Sequence, residues 1–174
     1  DEAEFEGHML EVTLGPGMLS RNYDGLQNDL DKMEGVFLRR GEYTFPLDND
    51  KLWDFKPLAK VGDKVTAGGW LGEVDENFQP HKIMVPFTFK GEYTVKSLKE
   101  AGQYTIGEVI AVLTDETGKD VEVTMIQRWP VKRAITCYKE KPRPYKLLET
   151  GVRTIDTVNP IVEGGTGFIP GPFG

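Results

Sequence analysis

Apolar and polar residues alternate over Leu10-Glu11-Val12-Thr13-Leu14, the period-two signature of a strand with one face buried. Gly15-Pro16-Gly17 then breaks the run as a turn. Residues 18–35 follow neither period cleanly and read as a turn and a short helix around Leu26–Met33. From Gly41 to Pro57, turn residues mix with Tyr43, Phe45, Trp53 and Phe55. This stretch reads as an irregular connection whose rings cover apolar surface. Beyond it the pattern is more regular. Val61-Gly62-Asp63-Lys64-Val65 is a turn feeding a strand, Ala67-Gly68-Gly69 a second turn, and Trp70–Val74 a second strand. An extended run covers Lys82 to Phe89, then Gly91 leads into a strand over Tyr93–Leu98.

Gly102 reads as a turn before another apolar run, Glu108–Leu113. Thr105 and Glu108 have the spacing of a capping box, which would open a helix. Against the helix stand the β-branched Val109, Ile110 and Val112 and the turn-rich 115–120 that leads into Val121–Met125. β-Branching restricts χ1 on a helix and packs well on a pleated sheet, so a hairpin is expected here. Short strands every 8–12 residues or so predict a mainly β chain built as a small sandwich or barrel. The 20 glycines and 11 prolines among 174 residues agree, because both interrupt long helices.

Charge narrows the partners. With 21 Lys plus Arg against 28 Asp plus Glu, the net charge is -7, and an acidic surface repels a phosphate backbone. Nucleic acid is therefore not expected as a partner. The single cysteine, Cys137, cannot form an intrachain disulfide, which fits a reducing compartment. No apolar run reaches the roughly 20 residues that span a bilayer, and the first residues are acidic where a secretory signal carries positive charge. Any role at a membrane is expected to run through protein partners. From Trp129-Pro130 onward, Lys132, Arg133, Lys139, Lys141, Arg143 and Lys146 gather among prolines. Such a stretch reads either as a solvated linker or as a strap along an acidic neighbour.

Little here resembles a self-sufficient active site. His8 and His81 have no further His or Cys at ligand spacing, so no metal site is expected, and the carboxylates show no pairing suited to acid–base work. Gly171-Pro172-Phe173-Gly174 matches only the first half of a G-x-x-x-x-G-K-[ST] phosphate loop. The Lys that reaches the phosphates and the hydroxyl that binds Mg²⁺ are not among these residues, and a Gly-rich tail is the alternative reading.

Two resemblances extend this reading. Val61–Val65, Gly68, Gly69 and Leu71, followed by Met84, Pro86, Gly91 and Gly102, resemble lipoyl and biotinyl carrier domains over roughly residues 58–113. That implies two sheets built from similar halves. Lys82 then becomes a candidate for cofactor attachment, although His81 and Ile83 flank it where the biotin type has Met. A plain surface lysine is the competing reading.

The second resemblance covers about residues 10–174. Leu14-Gly15-Pro16-Gly17-Met18-Leu19 with Tyr23-Asp24-Gly25-Leu26-Gln27 is similar to a segment of the catalytic A subunits of V-type and A-type rotary ATPases. Lys60–Val65 and His81–Pro86 resemble the bulge insert of those subunits. Gln127–Val131 and Thr150–Asp156 resemble the return to their nucleotide domain, and residues 171–174 resemble the start of their phosphate loop.

The resemblance implies that 1–34 lead out of a β-barrel, that 35–128 form a lipoyl-like bulge insert, and that 129–174 form a strap and the first strand of a nucleotide domain truncated in its phosphate loop. It implies ATP or ADP with Mg as ligands of the full subunit and none bound to this piece, with only Gly171, Pro172, Phe173 and Gly174 as nucleotide-contacting residues here and no catalytic or metal-binding residue. The implied partners are non-catalytic B subunits, the central rotor shaft and a peripheral stalk. The implied location is cytoplasmic, at the membrane periphery through the complex.

Overall fold

The computed structural model describes residues 5, 7–35, 37, 39–138, 140–168 and 170–172. Contacts divide the chain into two compact units, Asp1–Cys137 and Tyr138–Gly174.

Among its described residues the first unit holds ten strands: β1 (Glu11–Leu14), β2 (Trp53–Pro57), β3 (Lys64–Val65), β4 (Trp70–Glu76), β5 (Gln79–Met84), β6 (Tyr93–Leu98), β7 (Gly102–Tyr104), β8 (Ala111–Thr114), β9 (Asp120–Val123) and β10 (Gln127–Pro130). They form two four-stranded sheets, ordered β5-β4-β2-β7 and β3-β6-β8-β9, and a two-stranded ribbon of β1 with β10. Every pairing is antiparallel. The expected mainly β barrel-sandwich class is the observed one.

Alternation explains the core. On β8, Ala111 and Leu113 are buried while Val112 and Thr114 are only partly so, as a strand with one inward face requires. Leu71, Val85, Val95, Ala111, Leu113 and Val123 make one apolar cluster. Leu47, Trp53, Phe55, Val74, Ile83, Ile106, Ile110 and Met125 make the other. Each fully buried side chain of this size contributes about 1.5–3 kcal/mol relative to exposure.

Three expectations change. Trp53 and Phe55 are not loop cover: Trp53–Pro57 is β2, and these two rings are 4% and 1% exposed. Tyr43 and Phe45, in contrast, stand exposed. Rings two residues apart, Trp53 and Phe55, were the strand signal, masked by the turn residues before them. Gly102 is not a turn but the first residue of β7, paired with Phe55. The run after Asn77 is strand from Gln79 to Met84 rather than from Lys82 to Phe89. Pro80 is tolerated inside it because β5 is an edge strand, where a missing N–H can face outward.

Other expectations stand. β1, β4 and β6 lie where strands were expected, and the short helical element is a 3-10 turn at Leu30–Lys32. Hairpin wins over helix at β8–β9, with four register pairs from Ala111↔Val123 to Thr114↔Asp120. The capping-box residues do meet, but on a turn: Thr105 N and Oγ1 donate to Glu108 Oε1 at 2.9 and 3.2 Å. The second unit contains α1 (Arg153–Val158) and an isolated antiparallel bridge between Leu147 and Val162.

Candidate functional site

The phosphate-loop candidates come first. Gly171 and Pro172 are exposed, and a Cβ on Gly171 would meet nothing within 4 Å. Phe173 and Gly174 lie outside the described residues. Within the same unit, Ile155, Ile161, Val162 and Phe168 help line a 390 Å³ cavity that includes neither Gly171 nor Pro172. Among the described residues, no charged side chain lines that cavity. Chemically, Gly-Pro-Phe-Gly can offer a phosphate only backbone N–H donors, and Pro172 has none. No side-chain oxygen is present to hold Mg²⁺, so these four residues do not fit a metal. Among the described residues, no group of three or more His, Cys, Asp or Glu could hold one either.

Lys82 lies within β5, opposite Glu73 of β4, and not at the tip of the hairpin. The tip is Asn77-Phe78, four or more residues away in sequence. Its ammonium pairs with the Glu73 carboxylate and lies 5.1 Å from the centre of the Trp70 ring. The hydrogen bond from Lys82 holds the Glu73 carboxyl below its ordinary value of 4.5. Paired and partly covered in this way, Lys82 suits the reading of a plain surface lysine.

The structure also assembles a cluster that the sequence did not reveal. Glu76, the last residue of β4, is 2% exposed. Its Oε1 accepts from Gly17 N at 2.7 Å and Leu19 N at 2.9 Å, and its Oε2 meets His81 Nδ1 at 2.6 Å. A buried carboxylate needs such donors, because an ion removed from water without them is costly. The hairpin turn makes the His81 contact possible. Asn77 and Phe78 both take positive φ, 53° and 65°, as a two-residue primed turn demands, and Glu76 pairs with Gln79. The missed signal was that turn. Asn at its first position is usual, but Phe in place of Gly at the second conceals it.

Beside Glu76, Asp29 is 1% exposed; its Oδ1 accepts from Asp31 N at 3.1 Å, and its Oδ2 is 3.7 Å from both Arg21 Nη1 and Lys32 Nζ. Tyr23 donates to Pro46 O at 2.8 Å, and burial, followed by the nearby Asp29 charge, pushes its phenol above 10.0. Cations and anions alternate through this region, and among the described residues no nucleophile, general base and oxyanion donor converge. Its geometry is that of a structural junction.

A sequence profile of the ATPsynthase alpha/beta subunit barrel-sandwich domain matches residues 44–132. The V-type ATP synthase alpha chain of Treponema denticola is 48% identical across 100% of this chain and 30% of its own length. The protein of the same name from Borrelia garinii subsp. bavariensis is 48% identical, with 100% and 31% covered. V-type ATP synthase alpha chain 1 of Treponema pallidum is 46% identical, with 100% and 30% covered. The chain thus spans about 30% of the length of these curated relatives.

Proposed function

Because the chain belongs to the ATP synthase alpha/beta subunit barrel-sandwich family, we propose that it is the bulge-bearing segment of the catalytic alpha subunit of a V-type rotary ATPase. In this reading the whole subunit hydrolyses or makes ATP and couples it to proton or sodium transport. The observation that carries the proposal is similarity along 100% of the chain, at 48% identity, to a V-type ATP synthase alpha chain. The two-sheet unit supports it, being the kind of domain that the matched profile names.

Residues 1–34 then lead from an N-terminal barrel, 35–128 form the bulge, and 129–174 are the strap and first strand of the nucleotide domain. Gly171, Pro172, Phe173 and Gly174 open the phosphate loop, contributing backbone donors to ATP or ADP. The cation and hydroxyl that stabilise the transferring phosphoryl group and hold Mg²⁺ belong elsewhere in the subunit. Its partners are the non-catalytic B subunits, the rotor shaft and a peripheral stalk. It sits in the cytoplasm at the membrane periphery, and no helix among the described residues is long and apolar enough to cross a bilayer.

Two measurements test this. The coding sequence is expected to continue past Gly174 with Lys and then Ser or Thr within a few residues; a stop codon there overturns the assignment. The 174-residue chain, purified free of contaminating ATPases, is expected to show no turnover, whereas the full subunit in its assembled complex hydrolyses ATP. Turnover by the short chain would mean that it carries a catalytic apparatus of its own.

A further inference from the structure

We propose that Glu76 and Asn77 form a latch that fixes the Gly15–Ser20 segment to the tip of the β4–β5 hairpin, so that the two move as one body. The segment comes directly after β1, whose ladder with β10 ends at the pair Leu14↔Gln127. Past that pair, Gly17 N and Leu19 N both donate to a single carboxylate oxygen, Glu76 Oε1, at 2.7 and 2.9 Å. One residue further along each segment, Asn77 Nδ2 donates to Ser20 Oγ at 3.2 Å.

The arrangement is built to hold. Glu76 is 2% exposed, and its second oxygen is engaged by His81 Nδ1 at 2.6 Å, so the carboxylate is fixed from behind by the next strand, β5. Gly17 has φ of 105°, and a Cβ there would sit 3.5 Å from the Trp53 indole. The positive φ is what calls for glycine at this point, since a Cβ would make only ordinary contact with the indole. Charge-assisted bonds of this kind are roughly twice as strong as neutral ones. Two of its three bonds meet at one side chain at the very end of β4, so a single substitution there opens most of the latch.

Amide exchange resolved by NMR on the 174-residue chain tests the idea. Bonds to a buried charge correspond to a population change of about 10- to 100-fold. Glu76→Leu is therefore expected to speed exchange at Gly17 and Leu19 by at least about tenfold, with Leu71, Val95 and Leu113 held within about twofold. Glu76→Gln keeps an acceptor for the two amides and should give a smaller rise at the same two positions. Asn77→Gly preserves the turn, loses the Ser20 contact and should loosen Leu19 more than Gly17. Unchanged exchange at Gly17 and Leu19 in Glu76→Leu overturns the latch. Equal acceleration of the core strands in Glu76→Gln overturns it as well, since Glu76 would then be a general stability residue.

Discussion

The two units of this chain are held together in different ways. In the first, Phe55, Leu71, Val85, Val95, Ile106 and Leu113 are 0–1% exposed within closed apolar clusters. In the second, none of the described residues from Tyr138 to Pro172 is buried; Ile155, Asp156, Ile161 and Val162 are only half covered. The second unit therefore depends on polar geometry. Leu148 N donates to Ile161 O at 2.9 Å, Glu163 N to Lys146 O at 2.8 Å, and the Asp156 carboxylate accepts from Thr150 and Gly151. Hydrogen bonds open to water stabilise by about 0.5–1.5 kcal/mol each at most, and apolar burial dominates over them. The difference teaches that apolar burial holds the first unit, whereas the second rests on polar contacts at its surface.

The sharpest way to break the comparison is to truncate one apolar side chain in each unit. Phe55→Ala removes a fully buried ring and is expected to destabilise the first unit by about 3–5 kcal/mol, read as a fall in the urea midpoint. Ile161→Ala is expected to change stability by less than about 1 kcal/mol, because the site is already half open. Comparable losses from the two substitutions would show that the second unit has a core of its own. Backbone packing gives the next contrast. A Cβ on Gly72 would overlap the Phe55 ring and lie 2.8 Å from Lys56 O, so Gly72→Ala should cost about 1–3 kcal/mol by overpacking. Gly171→Ala, with nothing within 4 Å, should stay within about 0.5 kcal/mol. Thermal unfolding monitored by circular dichroism separates the two.

Much of the first unit was legible because its strands announce themselves by alternation and its turns by Gly. Asp115 and Gly118 mark the β8–β9 turn plainly, with Asp115 Oδ1 collecting Thr117 N and Lys119 N at 2.8 Å each. β2 was hidden because Trp53 and Phe55 come after a run of Asp, Asn and Lys that reads as loop. Local pattern yields to burial there, and only the sheet explains it. The Glu76 cluster was illegible for a different reason. Its donors lie 59 and 57 residues away along the chain, and no local spacing encodes so distant a meeting. The phosphate-loop reading at Gly171–Gly174 rested on half a motif and on resemblance. Four residues with no charged side chain give physical argument almost nothing to work on.

The smallest expected effect is also the cleanest comparison, since the same chemistry occurs in both units. Asp115 is held below its ordinary value of 3.8 first by the Thr117 hydroxyl and then by the Lys119 N–H. Asp156 is held below the same value first by the Thr150 hydroxyl, then by the N–H groups of Thr150 and Gly151. A carboxyl depressed in the folded state adds stability that is fully present above its unfolded value and is lost as pH falls through the folded one. Both contributions should thus be intact at neutral pH and decline below about pH 4, and solvent screening keeps each small. The consequences of protonation should differ between the units. The β8–β9 turn retains its ladder and the bond from Asp115 N to Lys119 O at 3.0 Å, so Thr117 and Lys119 resonances should shift while the hairpin stays protected. α1 has no side-chain cap, so its start relies on the Asp156 carboxylate that fixes Thr150 and Gly151. Acid should therefore fray α1 over the range in which it only perturbs the turn. An NMR titration from neutral pH to about pH 2.5 reads both at once. If α1 kept its amide protection after Asp156 was protonated, the second unit would be held by something stronger than its polar contacts.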